Sequence, residues 1–497
     1  MKKYMAYWAL FIIFSAGWYF SLELLDAQKN YYTILTTIAF LAASLVLKIL
    51  RGSIKQEIHF WLLFLIFIVG YYIKFYVLCY FKINIDSDYL AMMYPLELDR
   101  LNRADLHIRY YEMVTTVFAV FSLLIAALVL PVRVTKKKSE EYKFSISNIE
   151  IKKSIIKRLL AIAIVSSLTL FYLQLKLGIG LASAVDREVN PLPFRLAGIV
   201  MLTINGIIPL LLLISAWLAD TIRSSNLIKL TIGTYLLFGV VAGSLSTSKA
   251  SLISVVLTLL ILWLVTDTFT KKRLLLLLLI VPFMGLFNTF LSINRTIRSS
   301  NPDVGPFEIL LEIVAFLFST DTVILGYDQP IEYVANYWGL LLRINGADSL
   351  MNIIEFSPEF SFLRAWDLLF ISSDYIATLY AQDVLGKYYE TGVAFSPSLL
   401  GSFYFIFGNI ALVCCAMILY TLIWHLLFCA LRRAKLLIEP IVFSLLIVAL
   451  GLFTSEGTLE AMPQSIGIII VFAIFGELLV RWVVKENPSL NSPLYSK

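Results

Sequence analysis

Charged side chains are scarce in this sequence. Of its 497 residues, 15% are Asp, Glu, Lys or Arg, whereas 60% are hydrophobic, and the mean hydropathy is +0.84. A soluble domain carries about 25% charged residues. Because one water-soluble core cannot hide so much apolar surface, the composition excludes a soluble globular protein and predicts a helical membrane protein.

Cysteine and histidine are also scarce. The cysteines lie in or beside apolar stretches, so we expect no structural disulfide. The histidines are far apart in sequence and near no cysteine pair, which argues against a zinc site. These residues are Cys79, Cys414, Cys415, Cys429, His59, His107 and His425.

Nucleotide-binding and hydrolase signatures are missing as well. The chain has no GxxxxGK[ST] loop, no GxGxxG after a strand and no GxSxG elbow. An ATP-driven machine is therefore not expected, and any energy must come with the substrate or from a gradient. The sequence predicts no cofactor, no metal and no nucleic-acid partner.

Long apolar runs dominate what is present. A helix needs about 20 apolar residues to cross the hydrocarbon. We therefore predict an all-α polytopic bundle of about 12 transmembrane helices, with nine in residues 1–293, a long extracytoplasmic segment at 294–401, and three more plus a short tail in 402–497. The predicted spans are 5–25, 31–49, 59–82, 112–132, 158–177, 196–219, 229–246, 250–267, 274–293, 402–428, 437–454 and 464–484.

Basic residues cluster in every second connection. If the spans alternate, every cluster falls on one side of the membrane, so the positive-inside rule places both termini in the cytoplasm. The clusters are Lys2 and Lys3; Lys48, Arg51 and Lys55; Arg133 to Arg158; Arg223 and Lys229; Lys271 to Arg273; Arg432 to Lys435; and Arg481 and Lys485.

The segment 294–401 differs in character. It holds thirteen acidic and five basic residues together with many aromatic ones. Its stretches 307–326 and 366–382 have apolar residues at helical spacing, which predicts amphipathic helices on the outer membrane surface or over the bundle. A connection this long is usually functional.

Two cationic stretches lie at predicted outer ends of spans. Gly243 to Lys249 is a small, hydroxyl-rich turn that ends in a cation, a combination that suits a phosphate or diphosphate. The alternative is a polar turn whose Lys reaches the interface. Arg295 and Arg298 share one face of a helix and can clamp a diphosphate; the alternative is contact with lipid head groups.

Two carboxylates are candidate bases. Glu390 precedes a turn that Gly392 and Pro397 impose at the membrane surface, and a partly desolvated carboxylate there can accept a proton. The alternative is a helix start, with Ser396 as the N-cap and Pro397 at the first helical position. Glu456, in the last outer loop, is either a second carboxylate of the site or a solvated loop residue.

Together these stretches resemble the Wzy-type polymerases of bacterial surface polysaccharides. In the common-antigen polymerases, the pattern Gly-[Leu/Val]-Ala-x-Ser-Pro-[Thr/Ser]-Leu-[Ile/Leu]-Gly-Ser opens a late span. Residues 392–402 match it in full, including Gly392, Ser396, Pro397 and Gly401. Glu456 and the following glycine match the Glu-Gly of the family's last outer loop.

Three further positions can be compared with the family. Lys249 stands where members carry Arg, which removes bidentate recognition of a phosphate. Glu390 stands where members carry His, so a role as base is not inherited directly. Arg195 and Gly206 fit an Arg-x10-Gly spacing found in outer loops of some members.

The resemblance implies an inner-membrane glycosyltransferase whose donor and acceptor are oligosaccharides linked to undecaprenyl diphosphate. Lys249, Arg295, Arg298 and Arg195 would bind the diphosphate, and Glu390 or Glu456 would accept the proton of the attacking hydroxyl. Membrane lipids and a chain-length regulator of the polysaccharide co-polymerase type are the expected partners. An O-antigen-type ligase and a flippase, for which Lys74 would be the intramembrane cation, remain alternatives.

Overall fold

All regular secondary structure described in the computed structural model is helical. The structure describes residues 5–24, 29–51, 57–77, 104–135, 153–177, 200–246, 250–280, 283, 287, 291, 346–384 and 397–485, apart from 201, 357, 369–375, 457–458 and 460–461.

The described helices are numbered in chain order. Three π-helical segments are described, at Phe67–Ile73 in α3, at Thr203–Ile207 in α6 and at Tyr380–Val384 directly after α11. The bounds are α1 Met5–Leu24, α2 Lys29–Leu50, α3 Ile58–Val77, α4 Ala104–Thr135, α5 Lys153–Leu177, α6 Thr203–Thr221, α7 Ser225–Ser246, α8 Ala250–Val265, α9 Ala347–Phe356, α10 Phe362–Trp366, α11 Ile376–Leu379, α12 Leu399–Phe407, α13 Ile410–Ala434, α14 Glu439–Glu456 and α15 Met462–Lys485.

Eight of these helices (α2 to α7, α13 and α15) are long and apolar enough to cross a membrane. Each overlaps a predicted span, because one long apolar run suffices to identify a spanning helix. The predicted spans 5–25, 250–267 and 437–454 correspond to α1, α8 and α14, whose described apolar stretches are shorter, at Met5–Tyr19, Ser251–Val265 and Glu439–Ser455. Span 274–293 lies mostly outside the described residues, although 271–280 are helical. The membrane-embedded helical class is confirmed, whereas the number twelve remains a prediction.

The predicted span at 402–428 is wrong in one respect. A break at Gly408 divides it into α12 and α13. Gly408 has φ of +60°, a left-handed conformation that favours glycine, and the carbonyl of Pro358 occupies the space that a side chain would need. Hydropathy does not register this break, because the residues on both sides of it are apolar.

The turn predicted at Gly243 to Lys249 also needs correction. Residues up to Ser246 belong to α7, so Gly243 is helical rather than part of a loop. Ser244 donates to the carbonyl of Val240 at 2.8 Å, which satisfies its hydroxyl within the helix. Residues 247–249 lie outside the described residues.

The chain forms two compact units. The first comprises Met1–Tyr142, Leu342–Ala430 and Ala449–Ser465, and the second comprises Lys143–Leu341, Leu431–Val448 and Ile466–Lys497.

Aromatic residues fill the interior of the first unit, where α2 packs against α1 and α4. Tyr32 stacks on Tyr111 with ring centroids 4.3 Å apart. The Tyr111 hydroxyl lies 2.9 Å from that of Tyr76 and accepts from Thr36 at 3.3 Å. These buried phenols therefore satisfy one another, as polar groups away from water must.

In the second unit, α6 packs against α5, α7 and α8. Arg273 holds the end of α6 through a bidentate ion pair with Asp220, one arm of which is 3.0 Å long. The same guanidinium donates to the carbonyl of Thr268 at 2.6 Å and lies over the ring of Trp263. The planar, five-donor guanidinium suits this combination of contacts.

Candidate functional site at the motif turn

The second half of the motif forms the start of α12. Ser398 is the N-cap: its Oγ accepts from the backbone N–H of Gly401 at 3.4 Å, and its carbonyl accepts from that of Ser402 at 2.8 Å. The expectation that Ser396 caps the helix and Pro397 opens it is therefore wrong, since the helix begins two residues later. The Ser-Pro-Ser sequence contains two serines that could cap the helix, and the N-cap is the second, Ser398.

Ser398 has an unusual backbone conformation, with φ of 63° and ψ of 165°. Residues with a side chain rarely occupy this region, and doing so costs about 1–3 kcal/mol. Ser398 is nevertheless fully buried. Such strain persists where the surrounding structure holds it, and it concentrates at functional positions. This turn is therefore the best-defined candidate site in the described part of the chain.

Tyr71 fixes the motif turn from a distant part of the sequence. Its phenolic oxygen accepts from the backbone N–H of Leu400 at 3.1 Å. That amide belongs to the first turn of α12 and has no partner within the helix. The carbonyl of Tyr71 in turn accepts from the hydroxyl of Tyr110 at 2.6 Å, so α3 and α4 both support the turn.

Gly401 has a packing reason to be a glycine. A Cβ atom there would lie 2.9 Å from Cδ1 of Ile353 and 3.2 Å from Oγ of Ser398. A larger residue would push α9 away from α12 or displace the capping hydroxyl. The motif glycine therefore allows close approach of these two helices, independently of any role in chemistry.

A layer of buried polar residues accompanies the motif. Asn352 on α9 donates to the hydroxyl of Tyr380 at 3.2 Å, and both residues are buried. Ser349 on α9 and Ser402 on α12 are buried too, and these two helices pack together. No sequence signal singled out Tyr71, Asn352 or Tyr380, because each looks like an ordinary residue of an apolar stretch.

Two buried basic side chains belong to the same unit. Lys74 on α3 is 3% exposed and His107 on α4 is 1% exposed. Lys74 follows Gly70 by about one turn, and the backbone of Gly70 lies against Gly346 at the start of α9. An ionisable residue within a membrane span is expensive to bury and is usually functional.

Most of the predicted site residues lie outside the described residues. This applies to Lys249, Arg295, Arg298, Arg195, Glu390, Gly392 and Ser396. The backbone of Glu456 forms the end of α14, but its side chain is not described. Only Pro397 and Gly401 can be placed, both at the motif turn. The convergence of cations and carboxylates therefore remains a prediction.

The structure brings together two histidines that the sequence separates widely. His59 Nε2 lies 3.3 Å from Nδ1 of His425, and His425 Nε2 lies 3.6 Å from Sγ of Cys429. Each contact uses a different nitrogen of His425, so the three groups form a row rather than converging on one point. Among the residues that the structure describes, no group of three or more potential ligands fits a metal ion.

Comparison with protein-family models, with curated proteins and with solved structures finds no match for this chain. The features of the chain that bear on its function are therefore the long apolar helices, the motif at 392–402 and the geometry of the motif turn.

Proposed function

We propose that this protein polymerises oligosaccharide repeat units linked to undecaprenyl diphosphate into a surface polysaccharide, at the periplasmic face of the bacterial inner membrane. The observation that carries the proposal is the eleven-residue motif at 392–402. Its described half is a buried, strained turn, and it occurs in a chain with eight helices able to cross a membrane. Strain of this kind is compatible with a functional role for the motif.

The proposed reaction transfers the growing glycan from one lipid to another. A hydroxyl oxygen of the acceptor unit forms a bond to the anomeric carbon of the donor glycan. The bond from that carbon to the diphosphate oxygen breaks, and its electron pair leaves with the lipid diphosphate. The hydroxyl proton passes to Glu390, or to Glu456 as the second candidate.

The departing diphosphate develops negative charge that cations must stabilise. Lys249, Arg295, Arg298 and Arg195 are the proposed ligands. The segment 294–401 would cover the site, and some of its acidic and aromatic residues would bind sugars by hydrogen bonds and stacking. Reaction at the periplasmic face requires the orientation that the basic clusters predict, with twelve spans and both termini in the cytoplasm.

A flippase is the second candidate, and buried Lys74 on α3 is the observation that favours it. A cation at that depth can line a path for an anionic substrate. A ligase is the nearer rival, because it would use the same donor chemistry and differ only in its acceptor. Loss of a polymerase predicts a different product in cells from loss of either alternative.

Deletion of the gene separates a polymerase from the two alternative functions. Loss of a polymerase leaves single repeat units on surface lipid, whereas loss of a flippase or a ligase leaves no glycan there. Electrophoresis of surface glycan measures the outcome directly. An unchanged distribution of chain lengths in the deletion strain would contradict all three.

Glu390→Gln tests the proposed base in the complemented strain. We expect single repeat units at a normal protein level, because the amide cannot accept the hydroxyl proton. Glu359→Gln is the matched control: Glu359 is an exposed carboxylate of the same segment, and its replacement should preserve the long chains. Long chains in the Glu390 variant would transfer the role to Glu456.

A further inference from the structure

Large apolar side chains are exposed from the end of α9 through α10, outside every span-length helix. The exposed fractions are 41% for Phe356, 50% for Phe360, 67% for Phe362, 79% for Leu363 and 49% for Trp366. We call these five residues the apolar patch. Phe362 and Trp366 stack with ring centroids 6.2 Å apart, and exposed large apolar side chains grouped in this way mark an interaction site.

The backbone beneath the patch is firmly packed. Ala365 and Leu368 point inward and belong to one buried cluster with Ile353, Phe405 and Ile406. Ala365 also donates its backbone N–H to the carbonyl of Ser361 at 2.9 Å. The short helix α10 therefore holds Phe362, Leu363 and Trp366 outward, because Ala365 and Leu368 already pack in the buried cluster.

The patch lies where a membrane span begins. The backbone of Pro358 and Phe360 lies against Gly408, in the turn between α12 and α13. Asn409 then caps α13 by accepting from the N–H of Ala411 at 2.8 Å. Since α13 is long and apolar enough to cross the bilayer, its first residues mark the membrane boundary, and the patch lies beside them.

The residue types suit that depth. Trp concentrates at the membrane–water interface, and Trp, Phe and Leu are the side chains that interfacial helices bury at the boundary between head groups and acyl chains. The exposed carboxylates Glu359 and Asp367 flank the apolar patch and suit the aqueous side. Farther along α13, Leu419 and Leu426 are 60% and 63% exposed, so this span also presents large apolar side chains on its surface.

We propose that the apolar patch is an interfacial anchor that inserts Phe362, Leu363 and Trp366 into the boundary between lipid head groups and acyl chains. The occupant is bilayer lipid, because the patch adjoins the beginning of a span that exposes large apolar side chains of its own. Ala365 and Leu368 pack on α12, so the anchor also fixes the depth of the motif turn in the membrane. This inference does not depend on the proposed enzymatic activity.

Site-directed spin labelling tests the anchor in the full-length protein. The four native cysteines are replaced by alanine, and a single cysteine is introduced at Leu363, with Glu359→Cys as the aqueous control and Leu419→Cys as the mid-span control. Each nitroxide-labelled protein is reconstituted into vesicles of phosphatidylethanolamine and phosphatidylglycerol. Collision rates with oxygen, which partitions into lipid, and with a water-soluble nickel chelate give the depth of each label.

We expect the oxygen-to-nickel ratio at Leu363→Cys to be several-fold higher than at Glu359→Cys and lower than at Leu419→Cys. A ratio equal to that of Glu359→Cys would show that the patch faces water and would overturn the proposal. Low collision rates with both reagents would also overturn it, because they would show that protein covers the patch. Phe362→Cys provides a second label site, and size-exclusion elution equal to that of the parent confirms folding.

Discussion

Tyr71→Phe removes a single hydroxyl group from beneath the motif turn. The ring of Tyr71 is 1% exposed and its centroid lies 5.3 Å from that of Phe67, so phenylalanine preserves the packing. What is lost is the 3.1 Å hydrogen bond from the backbone N–H of Leu400. That amide lies in the first turn of α12, where no helical carbonyl can replace the phenol.

The expected loss of stability follows from the burial of both groups in this hydrogen bond, the Tyr71 phenol and the Leu400 amide. Leaving a buried donor without a partner costs about 1–3 kcal/mol. Side-chain hydrogen bonds between membrane helices average only about 0.6 kcal/mol, because unfolded segments also find partners. The Leu400 amide is fixed in a buried turn, so we expect Tyr71→Phe to lower the free energy of unfolding by about 1–2 kcal/mol.

Equilibrium unfolding in mixed detergent micelles measures this difference, with tryptophan fluorescence as the signal and SDS as the denaturant. Tyr172→Phe is the matched control, because Tyr172 is 61% exposed and exposed substitutions usually stay within about 0.5 kcal/mol. If Tyr71→Phe proved as stable as that control, the phenol would not be what supports the turn. Shorter surface glycans in the Tyr71 variant alone would connect the turn to activity.

Two further predictions concern the helix break at Gly408 and the membrane topology. Gly408→Ala should lower the free energy of unfolding by at least about 1 kcal/mol, because Gly408 has a positive φ. Gly233→Ala, at an exposed helical position with open space around it, should raise the free energy of unfolding by about 0.5–1 kcal/mol. Thermal unfolding of both variants in one detergent measures the difference, and equal shifts would contradict the explanation. Reporter fusions should place position 140 in the cytoplasm and position 350 outside, following the basic clusters; the reverse pattern would remove the topological basis of the proposed reaction.

The membrane spans were the most predictable part of the fold. A spanning helix is identified by one continuous apolar run, which is a local property of the chain. Helices such as α2 and α15 therefore coincide with predicted spans to within a few residues. Because hydropathy is local, the predicted span 402–428 misses the break at Gly408. The apolar run continues there through a turn that depends on contact with Pro358.

In the motif, too, one feature could be predicted from the local sequence and another depended on tertiary contacts. Its sequence indicated a turn followed by a helix, and that prediction is confirmed for the residues from Pro397 onward. The choice of Ser398 rather than Ser396 as the cap could not be predicted. It depends on Tyr71, which is 329 residues away from Leu400 along the chain, and on the close approach of Ile353 to Gly401.

The amino-acid sequence by itself determined that this chain is helical and embedded in a membrane, because hydrophobic length and charge placement act over one helix at a time. Only the tertiary structure decided which polar groups meet. Leu400 finds the phenol of Tyr71, and His59 finds His425 across 366 residues of sequence. Such pairs form because packed helices leave few partners for a buried polar group, and the packing is a property of the whole chain.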